Sequence, residues 1–384
     1  MKILYKTILA GLFIAFLLKS CTSPQKLLEQ GNYYDAVILS VEKIKKNPDN
    51  KKARETLKQA YPLALENLLD KIEKQRSIQP EFFNTLSAYT YEDLNRMYES
   101  IHKTPAAQEI IRNPEKFYLQ LSKVKPLAAG EQYLAGIKHL AYGDRENAKK
   151  AYYYFQDADA FVPGYKDVSQ RSEEAYQMAL LHVVADLKPV QSRIYRLSAN
   201  SFYEELSKSL HRIEEGKFIK FYTPKEAREV QLKNPDQILQ ISFEDFVVGE
   251  THSSEYVENL EKDSVIVGQV SIGNGRKKNV YGTVKAKFSS YRMEVVSRGL
   301  VSLMIRNNGY NKSILTDEDF PGEYVWFNEW GRYNGDERAL TQEQLNICRG
   351  REIPPPPPQQ MFVEFTKPIY SQLNDYLNNF YSKY

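Results

Sequence analysis

The densest group of side chains able to stack, ionise and hydrogen-bond is Trp326-Phe327-Asn328-Glu329-Trp330-Gly331, followed closely by Asn334-Gly335-Asp336-Glu337-Arg338. It holds both tryptophans of the chain. In a loop, exposed Trp beside Arg suits a protein or glycan contact, because large amphipathic rings and guanidinium groups anchor interfaces. Trp326, Trp330, Asp336 and Arg338 are therefore the candidate binding residues. The same stretch also has a purely structural reading, with Trp326 in a core, Trp330 packed at its edge, and Asp336 paired with Arg338 to stabilise a turn. A catalytic acid and base would have to come from Glu329, Asp336 and Glu337, and sequence spacing does not fix how far apart such carboxylates lie.

Other chemistry finds little text to rest on. The histidines His102, His139, His182, His211 and His252 are scattered without a second ligand at metal spacing, so no metal site is expected. No G-x-S-x-G elbow, phosphate loop or dinucleotide fingerprint occurs, and Gly273-Asn274-Gly275 reads as a hairpin turn between strands. The expectation is a protein that is not an enzyme and has no diffusible cofactor.

Composition sets the outer bounds. The chain has 384 residues, 42% hydrophobic and 26% charged, enough to build more than one core. Its net charge is +3, but Lys2, Lys6 and Lys19 all precede Cys21; the 52 basic residues less these three balance the 49 acidic ones. Such balance argues against a nucleic-acid partner. Cys21 and Cys348 are the only cysteines, and if Cys21 is modified no disulfide remains available. The 28 tyrosines, including Tyr152, Tyr153 and Tyr154, suit helix packing with a polar rim better than a ligand platform.

Lys2 and Lys6 precede an apolar run over residues 8–18 that Lys19 stops. A charged region, an apolar region and the small Ser20 before Cys21 form an export signal, with residues 1–20 as the signal peptide. The run is too short to span a bilayer, which needs about 20 apolar residues. Leu18-Lys19-Ser20-Cys21 resembles the lipobox of bacterial lipoproteins, although Lys19 stands where a small or apolar residue is usual; relaxed lipoboxes are familiar in the Bacteroidota. The resemblance implies a diacylglyceryl group on Cys21, a lipid anchor in the cell envelope and, with Thr22 rather than Asp next, the outer membrane.

Behind this address, residues 21–187 read as all-helical, with apolar residues at helical spacing such as Leu65, Leu68, Leu69 and Ile72. Gly31, Tyr33, Ala36 and Pro48 resemble a tetratricopeptide repeat unit at matching offsets, and Gly136, Gly143 and Ala148 resemble part of a second. Lys43 and Phe155 fill the second small position of each unit. The resemblance implies stacked helix pairs with a concave surface for an extended segment of another protein. The alternative is an ordinary helical bundle.

Residues 188–384 change texture. A helix carrying Phe202, Leu206, Leu210 and Ile213 precedes a strand at residues 218–222, and Thr223-Pro224 starts a helix. Period-two alternation follows at residues 239–244, 280–288 and 301–305, then an Asn307-Asn308-Gly309 turn and a strand at 324–327. Residues 354–358 are expected as a polyproline II connection, 361–365 as a returning strand, and Ile369, Leu373, Tyr376 and Phe380 as a closing helix. The expected class is α+β and multidomain, with a mainly antiparallel sheet in the second half. Its element order resembles small α/β domains of curli-channel-like and penicillin-binding-protein-activator lipoproteins, which implies docking or oligomerisation.

Together these readings give a non-enzymatic, membrane-anchored lipoprotein, a scaffold or assembly factor whose partners are envelope proteins. The rival expectations are a glycan or peptidoglycan binder or hydrolase using residues 326–338, and a subunit of an oligomeric envelope pore or ring.

Overall fold

The computed structural model describes residues 23–272, 275–309 and 312–384. Cys21 and the expected signal segment, Gly273 and Asn274 lie outside the described residues. The chain divides into two units, one ending at Ala179 and the other running from Leu180 to Tyr384. It is α+β.

The first unit is helical: α1 Pro24–Glu29, α2 Tyr33–Lys46, α3 Lys51–Ile78, α4 Phe83–His102, α5 Pro105–Gln108, α6 Tyr118–Leu140, α7 Arg145–Phe161 and α8 Val168–Ala179. Local chemistry places the ends. Asn50 accepts the Ala53 N–H at 3.1 Å to cap α3, and Asp144 accepts the Asn147 N–H at 3.0 Å to cap α7. Gly31 and Gly143, both at positive φ, form the turns that lead into α2 and α7, while Pro48 lies between α2 and α3. Ala36 and Ala148 are completely buried, and Tyr33 packs on the first core. That core joins Val37, Val41 and Ile44 of α2 to Leu57 and Ala60 of α3 and to Leu94, Met97 and Ile101 of α4.

The predicted second unit explains its own irregularity. Gly136 lies inside α6 against the Phe155 ring, and a β-carbon there would meet the ring at 2.6 Å. Phe155 can be large because the residue opposite is glycine. Both predicted units are helix, glycine turn, helix with a buried alanine.

The second unit is built on a five-stranded sheet, ordered β2-β1-β3-β4-β5. Its elements are β1 Leu181–Leu187, α9 Arg196–Glu214, β2 Ile219–Tyr222, α10 Pro224–Glu229, β3 Gln237–Ser271, β4 Lys277–Asn307, β5 Ile314–Gly335, α11 Gln342–Arg349 and α12 Pro358–Phe380. β1 pairs in parallel with β2 and β3, and β3, β4 and β5 pair antiparallel. Thr223 and Glu226 form a full capping box on α10. The core packs Leu206 and Leu210 of α9 and Phe362, Phe365, Ile369 and Leu373 of α12 against Val183, Leu239, Ile241, Val301, Leu303 and Ile305.

Three expectations need correction. The helical half ends at Ala179, not at residue 187, because residues 181–187 form β1; Leu181, Val183 and Ala185 point inward, and apolar Val184 hides that alternation. Residues 361–365 are helical, not a strand. Pro358 takes the first turn of α12, where its missing N–H costs nothing, so the extended proline segment stops at Pro357. Met361, Phe362, Phe365 and Ile369 then form one helical stripe, all buried.

The third correction concerns length. The expected strands at 280–288 and 301–305 are parts of one 31-residue strand, and the alternation at 239–244 opens a 35-residue strand. Register shifts at Phe243/Asp245 and Val248/Glu250 break the two-residue period there, so sequence alternation fades while pairing continues. The result is a long ribbon of β3, β4 and β5 that continues past the sheet core. β5 ends at Gly335 opposite Ala286, beyond which β3 and β4 go on as a two-stranded finger.

Candidate functional site

The expected binding residues fall on two different pieces of structure. Trp326 and Trp330 lie four residues apart on β5 and therefore share a face, opposite Val295 and Tyr291 of β4. Trp330 stacks on Tyr291 with ring centroids 5.7 Å apart and planes 21° from parallel, and the Arg332 guanidinium lies 5.3 Å from the Tyr291 centroid. Both tryptophans are half-buried.

Asp336 and Arg338 sit beyond the strand, at a 3-10 turn, Glu337–Ala339. Arg338 donates through Nε to Asp336 Oδ1 at 2.8 Å and through Nη1 to the Ile266 carbonyl at 2.6 Å. Its own backbone N–H also donates to Asp336 Oδ1, at 3.0 Å. Among the described residues no hydrogen bond or ring contact joins this pair to the tryptophans. The four residues do not make one site: the tryptophans form an aromatic strip, and the ion pair fastens the turn to β3.

That fastening is titratable. Hydrogen bonds from Arg338 hold the Asp336 carboxyl down at about 2, below the ordinary 3.8. Because the folded value is depressed, the contribution is complete above the ordinary value and is lost as pH falls from about 4 toward 2. Arg338→Ala removes the guanidinium but keeps the backbone N–H donor, so it should raise the Asp336 titration midpoint toward the ordinary carboxylate range, measured by carboxyl carbon NMR shifts. An unchanged midpoint would remove the pair as its cause.

A concave feature lies in the helical unit. Pro62, Leu65, Glu66, Leu69, Asp70, Ile72 and Glu73 of α3 and Tyr91 of α4 line an open groove of about 530 Å³. Its floor is apolar: Ile72 is buried, and Leu65, Leu69 and Tyr91 are half-buried and pack on the first core. The carboxylates Glu66, Asp70 and Glu73 are exposed along its rim. Lys74 pairs with Asp70 at 2.5 Å, while Glu66 and Glu73 have no ion-pair partner among the described residues. An apolar floor beside unpaired carboxylates suits a segment that carries both apolar and basic side chains. Leu65, Leu68, Leu69 and Ile72 were legible as a helical apolar repeat; Leu68 faces inward, while Leu65 and Leu69 border the groove. The acidic rim was the signal that sequence reading passed over.

Among the described residues no group of three or more His, Cys, Asp or Glu side chains could hold a metal ion, and no helix is long and apolar enough to cross a membrane. Cys348 is a free thiol, half-buried on α11, and burial raises its pKa. No family model, curated protein or solved structure matches the chain.

Proposed function

We propose that this protein is a non-enzymatic scaffold or assembly factor of the bacterial cell envelope, tethered by lipid on Cys21, whose helical unit captures a segment of a partner protein. The observation that carries this reading is the groove along α3, apolar at its floor and acidic at its rim. The lipobox-like residues before Cys21 supply the address. A bound segment would lay apolar side chains on Leu65, Leu69 and Tyr91 and direct Lys or Arg toward Glu66 and Glu73. Burial of such anchors is the usual source of affinity at interfaces of this kind.

Leu65→Asp with Leu69→Asp places two charges on the floor at half-buried positions that border the first core, so the melting curve of the variant is compared with wild type alongside recovery. Recovery of a stoichiometric envelope partner should fall about 30-fold or more, the effect of losing roughly 2 kcal/mol at a central anchor. Glu66→Lys with Glu73→Lys should weaken recovery less and reduce its salt dependence. Equal recovery by wild type and both variants would rule the groove out.

A second reading, a subunit of a ring or pore, draws support from the strand edges. β3 pairs with β1 only over residues 237–241, and its outer edge beyond Ile241 pairs with no other described strand. Such edges can join copies side by side. Solution mass discriminates: a monomer across a wide concentration range removes this reading, and a closed oligomer promotes it.

A further inference from the structure

We infer that the finger formed by the ends of β3 and β4 is a docking element for a membrane surface rich in anionic lipid headgroups. This is independent of the α3 groove and of acylation at Cys21.

The first observation is charge. Between Asp263 and Glu294 the sequence contains no acidic residue, while Arg276, Lys277, Lys278, Lys285, Lys287 and Arg292 all fall in that interval. In a chain whose charges nearly balance as a whole, this is a strong local bias. Lys285 is neutralised by Glu261 across the strands and Arg292 by Glu294. Arg276, Lys277 and Lys278, at the far end, form no ion pair among the described residues and are exposed.

The second observation is what lies beside those charges. On one face of the ribbon Val284, Ala286 and Phe288 are buried beneath Ala339, Leu340, Leu345 and Ile347. Strand alternation continues that face outward through Gly282 and Val280, and Val267 packs against Gly282. Val265 and the Arg338 contact with the Ile266 carbonyl mark where that cover ends, and the extension beyond them is exposed. Val270 is 55% exposed, Ile272 61% and Tyr281, on the opposite face beside Ile266, 62%. These large apolar side chains stand on a two-stranded finger that spans roughly 20 Å from Val265 to Ser271 at the ordinary strand rise.

Apolar side chains on a narrow projection, an amphipathic tyrosine and an exclusively basic end match the layers of a bilayer interface. Aliphatic groups enter the acyl boundary, the tyrosine sits at headgroup level and the basic groups meet phosphate. The open edges of β3 and β4 limit the depth. Their free backbone groups cannot be satisfied in hydrocarbon, so the finger lies in the interface and does not cross it. A protein partner would be expected to fit a broader patch with charges of both signs.

The test uses the chain beginning at Thr22, which keeps every described residue and lacks the acylated position. It is floated with vesicles of phosphatidylcholine alone and of phosphatidylcholine mixed with phosphatidylglycerol. The expected result is co-flotation with the anionic vesicles only, weakened by salt. The variant Arg276→Gln/Lys277→Gln/Lys278→Gln should lose about 100-fold in partitioning, from roughly fivefold for each charge near an anionic surface. Val270→Asn/Ile272→Asn should also lose binding, with the circular dichroism spectrum and melting curve of both variants unchanged. Failure of the wild-type chain to float with anionic vesicles would overturn the inference. So would flotation of the variants equal to wild type. A solution dimer dispersed by the Val270/Ile272 substitution would assign the finger to a second copy of the chain instead.

Discussion

Phe365→Ala is expected to destabilise the sheet-bearing unit by about 3–5 kcal/mol, the range for deleting a fully buried aromatic ring. Phe365 is completely buried at the centre of the largest core, with its ring centroid 5.0 Å from that of Phe362. Phe362 in turn meets Tyr195, Phe243 and Phe246. The sheet beneath Phe365 is paved with glycine: Gly299 and Gly322 are paired across β4 and β5, and both lie against this residue. Glycines have no side chain that can relax into the space a missing ring leaves, so the cavity persists. Both tryptophans of the chain lie on β5, so tryptophan fluorescence during urea unfolding reports this unit. A loss smaller than about 1 kcal/mol would mean that the packing of α12 on the sheet is looser than described.

Gly322→Ala is the second large effect. A β-carbon at this position would lie 2.3 Å from the Phe365 carbonyl oxygen and 2.5 Å from Ile369 Cγ1. One of those atoms is backbone, so the whole helix must lift from the sheet, and the cost should reach or pass the upper end of the roughly 1–3 kcal/mol typical of overpacking. Gly299→Ala differs in kind, because its β-carbon would meet the Phe365 ring at 2.6 Å. Combining each with Phe365→Ala separates the two cases. The ring deletion should relieve much of the Gly299→Ala penalty and little of the Gly322→Ala penalty, a coupling that a double-mutant cycle in urea measures directly. Equal relief of both would contradict the placement of α12.

These glycines mark where sequence reading reaches its limit. Helices were legible because apolar residues recur at helical spacing over many turns, as in α3, and because caps such as Thr223 announce their starts. The strand at 239–244 and the turn at Asn307-Asn308-Gly309 were legible for the same local reason. What pairing alone decides was not. Gly299 and Gly322 lie 23 positions apart and acquire meaning only when register sets them side by side beneath Phe365. Bulges scrambled the alternation that would have revealed one ribbon instead of several strands. Residues 361–365 offered both periods, and Pro358 at the first helical turn was the cue that favoured helix.

The candidate sites divide in the same way. Asp336 and Arg338 were readable as a pair because they are two residues apart, and the structure adds the Ile266 carbonyl, 72 positions away, as a second acceptor for Arg338. The tryptophans and that pair were contiguous in sequence, yet strand geometry separates their roles. The α3 groove combines a legible apolar repeat with Tyr91 from another helix and an acidic rim, and only the fold makes a surface of them. The basic, apolar finger was spelled out in residues 264–293, but its exposure depends on β5 ending at Gly335.

The most direct test of the proposed scaffold role is site-specific photocrosslinking of the full-length protein in the cells that make it. A photoreactive residue replaces Leu69 on the groove floor, with Lys71, exposed on the same helix and outside the groove, as the control position. The expected result is one discrete adduct from position 69 that Leu65→Asp abolishes, and no such adduct from position 71. No adduct from position 69, or the same adduct in equal yield from both positions, would contradict it.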